Sequence, residues 1–221
     1  MKSSQILMMG NSIGIGNGFL YNWFAASDAN FAPTDWKVPT NAELQTLTTY
    51  LGGISVAGGK MKTTGTIEAG TGLWRNPNTG ADNSSNFSKI PSGARSHADG
   101  AFSLLQFYGY LWSSSSFDAN NAHARYLFYN GADVNEFTYS KKAGFSVRLL
   151  YTGAGTPATV TDYDGNVYDT VVIGTQRWTK QNWKCTRLNN GTSIPNVTDG
   201  TTWAGLTTLA RAAYDNNINY V

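Results

Sequence analysis

Ala143-Gly144-Phe145-Ser146-Val147-Arg148-Leu149-Leu150 alternates apolar and polar side chains, with Ser146 and Arg148 set between Phe145, Val147 and Leu149. That period of two is the pattern of a strand with one buried face. Taken with the upstream segment Leu111-Trp112-Ser113-Ser114-Ser115, it reads as the central strand of a small α+β domain.

Outward from this strand, composition limits the possibilities. The 221 residues are 41% hydrophobic and 13% aromatic, enough to bury a substantial core in one domain or two small ones. Only 14% are charged, the formal net charge is +2 and no Lys/Arg run occurs, so neither a nucleic-acid partner nor a polybasic membrane patch is expected. No stretch approaches the about 18 apolar residues of a membrane helix, so no membrane insertion is expected. The apolar run within Met1–Gly10 is too short for a secretory core, and no signal peptide is read there. Cys185 stands alone, which excludes an intramolecular disulfide and a cysteine metal cage.

Gly14-Ile15-Gly16-Asn17-Gly18 lacks the strand and helix of a phosphate-cradling loop, so residues 1–17 read as a flexible arm. Thr40-Asn41-Ala42-Glu43 is a capping box, and Leu44, Leu47 and Leu51 then share one helical face until Gly52-Gly53, predicting a helix over 41–51. From Gly53 to Asn86 the composition predicts long loops pinned by Met61, Ile67 and Trp74. Asn130-Gly131 between alternating runs predicts a two-residue type I′ hairpin, placing Leu127 opposite Val134 and Arg125 opposite Glu136 as a cross-strand pair. The strand at 144–150 then completes a three-stranded meander. Residues 151–161 read as a linker. A second hairpin turns at Asp164-Gly165, and Trp203, Leu206, Leu209 and Ala213 predict a second helix over 202–213.

Seven blocks together resemble the Fibrobacter succinogenes major paralogous domain. They are Leu20-Tyr21-Asn22-Trp23; Trp36 to Thr40 with Glu43 and Leu47; Gly58 to Lys62; Pro91 to Arg95 with Asp99, Gly100 and Phe102; Leu111 to Ser115; Gly144 to Arg148; and Asp164 to Trp178 with Asn182. The resemblance spans about residues 18–221. It implies a C-type-lectin-like fold, with a small mixed or antiparallel sheet, two helices and long loops, related to formylglycine-generating enzymes. Such domains occur in surface or secreted proteins of Bacteroidota and their phages, and some are targets of diversity-generating retroelements. The Asp164 block opens the family pattern but here follows its last block, so the chain reads as a circular permutant. Residues 18–150 form the C-terminal-type part, and 162–221 the N-terminal-type part of the same or a neighbouring domain.

The formylglycine-generating chemistry needs a cysteine pair that Cys185 cannot supply, so no catalysis is expected. Lys184 and Arg187 flank the thiol, but without a nearby His and an orienting partner it reads as inert. His97 and His123 have no metal-ligand spacing, Asp162, Asp164 and Asn166 suit a turn better than a calcium loop, and no cofactor is expected. The candidate ligand surface is Trp112, Ser113, Ser115, Phe117, Asn120, Asn121, Tyr129, Asn130, Asn135 and Tyr139. Stiff aromatic area interleaved with adaptable amides and hydroxyls is the chemistry of binding surfaces. Against this, Trp112, Tyr126 and Phe128 also read as core, and for Trp112 the core reading is preferred. The expected partner is a cell-surface glycan or protein, outside the cell or on a virion. The alternative is a fibre or decoration subunit that binds copies of itself head to tail through 162–221.

Overall fold

The computed structural model describes residues 16–221, so most of the arm at 1–17 and the segment read for a signal peptide lie outside the described residues. The chain opens with β1 (Leu20–Tyr21), α1 (Trp23–Ala26), β2 (Trp36–Lys37), α2 (Asn41–Tyr50) and α3 (Ile54–Met61). It continues through β3 (Ser92–Arg95), β4 (Phe102–Leu105), β5 (Tyr108–Ser116), β6 (Asn121–Phe128) and β7 (Asn135–Ser140). It ends with β8 (Leu150–Tyr151), β9 (Thr159–Thr161), β10 (Val167–Ile173), β11 (Gln176–Thr179), α4 (Gly200–Gly205) and β12 (Arg211–Ala212). Among the described residues these form an α+β unit with two five-stranded sheets, β4-β3-β5-β6-β7 and β2-β8-β11-β10-β9, and a β1-β12 pair. Only the β3–β5 pairing is parallel, which makes the first sheet mixed.

The capping box forms as read: Thr40 Oγ1 accepts from Glu43 N at 3.3 Å, and Glu43 Oε2 accepts from Thr40 N at 2.8 Å. Leu44, Leu47 and Leu51 are buried on one face. The expected loop after Gly53 instead begins with α3. Its Gly58-Gly59 pair disfavours a helix by propensity, but two other backbones pass at that spot. A Cβ on Gly58 would lie 2.1 Å from Asp133 O, and one on Gly59 2.2 Å from Gly80 O. Tertiary packing, not propensity, makes this helix.

Arg125 pairs with Glu136 in the predicted register. The two-residue turn does not form, because β6 ends at Phe128, β7 starts at Asn135, and neither Asn130 nor Gly131 takes a positive φ. The intervening loop is claimed by other partners: Lys62 Nζ donates to the carbonyls of Phe128 and Gly131, and Gly59 N to that of Ala132.

The stretch at 144–150 also differs from its reading. The meander is β5-β6-β7, and residues 144–149 run as extended chain between the sheets, bonding to five separate segments. Phe145 exchanges hydrogen bonds with Tyr21, Gly144 with Arg95, and the carbonyls of Ser146, Val147 and Leu149 accept from Trp112, Trp183 and Thr179. Ser146 and Arg148 are buried as well as Phe145, Val147 and Leu149, so both faces are covered.

The second hairpin stands, with Thr161 opposite Val167 and Gly165 at φ +84. The predicted helix over 202–213 stops at Gly205, and Arg211–Ala212 instead pairs with β1. Residues 159–221 pack on the rest of the same chain. β11 lies between β8 and β10, and Trp183, Cys185, Leu188 and Ile194 join Phe19, Tyr21, Phe145, Val147 and Leu149 in the main core.

Candidate functional site

Three aromatic pairs sit at a spacing of two: Tyr108 and Tyr110 on β5, Tyr126 and Phe128 on β6, Phe137 and Tyr139 on β7. Residues two apart on a strand share a face, and directly paired residues of neighbouring strands do too. Tyr108 pairs with Phe128, Tyr110 with Tyr126, and Tyr126 in turn with Asn135, so all six rings and Asn135 stand on one face of the meander. Leu111 and Leu127 point the other way and are buried with Leu44, Leu47 and Met61 of the helices.

The rings support one another. Tyr108 stacks on Tyr110 with centroids 5.7 Å apart, Tyr126 meets Phe137 edge-on at 5.3 Å, and Tyr110 lies 4.5 Å from Phe145 at an interplanar angle of 9°. Phe145 ties the face to the core. Tyr139, 37% exposed, leads toward solvent with His97 edge-on against it. The hydroxyls of Tyr108, Tyr110, Tyr126 and Tyr139 find no hydrogen-bond partner among the described residues, and burial raises that of Tyr110 above its ordinary pKa. The result is a half-buried aromatic surface, rigid because its rings are mutually packed, with free hydroxyls at its rim.

The ten residues chosen from sequence do not form one site. Trp112 is fully buried and donates from Nε1 to Tyr21 O at 2.8 Å, which is the core role. Ser113 is buried too, its carbonyl accepting from Trp23 Nε1, while Ser115 Oγ accepts the amide of Asn41 at the start of α2. Phe117, Asn120 and Asn121 gather at the β5–β6 turn, where the Asp118 carboxylate accepts from both asparagine amides. Tyr129 and Asn130 lie past the far end of β6. Asn135 and Tyr139 belong to the aromatic face. The sequence reading does not include Tyr108, Tyr110 and Phe137, and it gives Tyr126 and Phe128 only the alternative of a core role; the repeated aromatic-x-aromatic spacing is the available signal.

The opposite side of the same strands carries a polar group around Glu136. Its carboxylate accepts from Asn41 Nδ2 at 2.7 Å and lies 2.9 Å from Arg125 Nη1 and 3.2 Å from His123 Nδ1. Burial opposes its ionisation, but Asn41, Arg125 and His123 outweigh that and hold the carboxyl below its usual range.

The sequence model of the Fibrobacter succinogenes major domain matches residues 5–150. The chain belongs to this family. The block from Asp164 to Asn182 lies beyond the matched residues, and no curated protein or solved structure gives a significant match.

In this Fibrobacter succinogenes major domain several motif residues are buried cations held by backbone carbonyls. Arg148 donates to Phe87 O, Ser88 O, Thr179 O and Asn182 Oδ1 at 2.8–3.0 Å. Lys62 Nζ reaches three carbonyls, of Thr79, Phe128 and Gly131. Arg95 bonds Gly100, Val197 and Thr198 while its guanidinium lies against Phe102 and Trp203. Burial lowers the pKa of Arg148 to about 9 and that of Lys62 to about 8. These residues fasten loops.

Cys185 is buried, and burial pushes its thiol up to about 11, the opposite of an activated nucleophile. The Asp162 carboxylate accepts from the amides of Asp164 and Asn166 and from the Tyr168 hydroxyl, so it organises the hairpin turn. No cluster of three or more His, Cys, Asp or Glu with metal-binding geometry occurs among the described residues.

Proposed function

We propose that this domain is a non-enzymatic, C-type-lectin-like binding module that presents the aromatic face of β5–β7 to a glycan or protein at a cell or virion surface. The observation that carries this is the six-ring face itself. Its packed rings lose little conformational entropy on binding, and its unpaired hydroxyls and the Asn135 amide supply directional contacts. A glycan is the favoured ligand, because C–H faces of a sugar stack on such rings while its hydroxyls meet those of the tyrosines. The test is a glycan array probed with the full chain and with Tyr108→Ala, Tyr126→Ala and Tyr139→Ala. Binding lost in the variants supports the reading. A ligand bound equally well by all of them refutes this face, and protein capture without glycan binding would shift the ligand class.

The second reading is a fibre or decoration subunit built by exchange of residues 162–221 between copies. It is favoured by the largely exposed connection at 152–158 and by the insertion of β11 into a sheet begun by β2 and β8. A native mass that rises with concentration supports it; a constant monomer mass removes it.

A further inference from the structure

Lys89 and Asn182, 93 residues apart, meet in the interior where the 162–221 segment joins the rest of the chain. Lys89 is 0% exposed and Asn182 1%. Lys89 Nζ lies 3.3 Å from Asn182 Oδ1, 2.8 Å from Tyr110 O and in hydrogen-bond contact with Ser146 Oγ. Asn182 Oδ1 also accepts from Arg148 Nε at 2.8 Å, and Asn182 Nδ2 donates to Asn17 O. No carboxylate forms an ion pair with either cation among the described residues. An amine with no counter-ion among the described residues therefore sits, almost without solvent exposure, against a side-chain amide whose carbonyl is polarised by a guanidinium.

We propose that Lys89 and Asn182 become joined by an isopeptide bond. The lone pair of the unprotonated Lys89 Nζ forms a bond to Asn182 Cγ, and the carbonyl electrons move onto Oδ1, where the Arg148 Nε–H stabilises the charge. Collapse of this intermediate breaks the Cγ–Nδ2 bond. A proton from Nζ passes to the departing nitrogen, which leaves as ammonia. The product is a secondary amide; nothing is oxidised or reduced and no co-reactant is consumed. Burial, and then the neighbouring charge of Arg148, lower the Lys89 ammonium well below its ordinary range, which supplies the unprotonated amine. Exclusion of water protects the amide from competing hydrolysis. The bond would clamp 162–221 covalently to 18–150, a property suited to a domain under load.

The test is mass spectrometry of the purified full chain under denaturing conditions, followed by a tryptic map. The expected intact mass is lower by one ammonia than the sequence requires. Trypsin is expected to skip Lys89, leaving the peptide 76–95 attached to Gln181-Asn182-Trp183-Lys184. Succinimide formation at Asn17-Gly18, Asn130-Gly131 or Asn190-Gly191 loses the same ammonia but leaves Lys89 cleavable, so the map separates this from the isopeptide bond. Covalent dimers carrying the same joined peptides also support the bond and place it between exchanged chains. Free Lys89 and Asn182 peptides from folded, protease-resistant protein, after prolonged incubation at mildly alkaline pH, overturn the proposal.

Discussion

Arg148→Met removes a guanidinium that serves four acceptors drawn from three parts of the chain. Phe87 O and Ser88 O belong to the segment before β3, Thr179 O to the end of β11, and Asn182 Oδ1 to the segment after it. Met fills much of the volume and relieves the cost of burying a charge, but it can donate to none of them. Asn182 Oδ1 keeps Lys89 Nζ at 3.3 Å, so three acceptors are orphaned, and at about 1 kcal/mol each at the low end the gross loss is near roughly 3 kcal/mol. Charge relief offsets part of this, leaving a net destabilisation of about 2 kcal/mol, because the groups left behind are neutral and not an uncompensated charge. With a urea slope of about 2–3 kcal/mol per molar, the midpoint falls by roughly 0.7–1 M. Trp178 and Trp183 are buried nearby, so tryptophan fluorescence in a urea titration reads the change. Arg148→Lys keeps the charge on one nitrogen and should fall between the two. A midpoint for Arg148→Met within about 0.3 M of the parent, at this slope, would mean these carbonyls do not depend on Arg148 and would refute the reasoning.

Gly58→Ala pushes a methyl to 2.1 Å from Asp133 O and is expected to cost about 2 kcal/mol or more in the same titration, whereas Gly205→Ala meets nothing within 4 Å and should be near neutral. Thr40→Ala removes the cap of α2 and should cost about 1 kcal/mol, read as a lower melting temperature with secondary structure otherwise intact. Lys62 titrates near pH 8 in the fold and at roughly 10.4 unfolded, so between these values the unfolded chain holds more protons and stability rises with pH. The urea midpoint is therefore expected to be higher at about pH 9.5 than at about pH 7.5, and Lys62→Met should flatten that rise.

The parts of the fold that were legible in sequence are those fixed by neighbours along the chain. The capping box of α2 needs only Thr40 and Glu43, and the β9–β10 hairpin needs only Asp162 and Gly165 around its turn. The readings that failed depend on distant partners. Gly58-Gly59 looks like loop until Asp133 and Gly80 are seen to pass against it, and Asn130-Gly131 looks like a tight turn until Lys62 takes the surrounding carbonyls. Arg148 looked solvent-facing because alternation implies one wet face; its four acceptors come from residues 31 to 61 positions away in the chain. Of the proposed face, residue type alone points to Asn135 and Tyr139. The face was missed because composition was read residue by residue, when its rings recur at a spacing of two on three successive strands.

Residues that hold the fold and residues proposed to meet a ligand are interleaved on the same strands, and this gives a test that separates them. Along β5, Tyr108 and Tyr110 stand half-buried on the outer face, while Trp112, on the same face two residues further on, is covered by Phe145 and bonds Tyr21. The boundary between surface and core therefore falls within one strand. Tyr139, at the exposed end, can lose its ring with little loss of core: Tyr139→Ser is expected to move stability by no more than about 1 kcal/mol. If the face binds, the same substitution should weaken ligand affinity about tenfold, equivalent to roughly 1.4 kcal/mol. Trp112→Phe should behave in the opposite way, losing the Tyr21 hydrogen bond and about 1 kcal/mol or more of stability while leaving affinity per folded molecule unchanged. Affinity and urea midpoint measured on both variants decide the matter. If the two quantities fall together in both, the aromatic face is an extension of the core and not a binding surface.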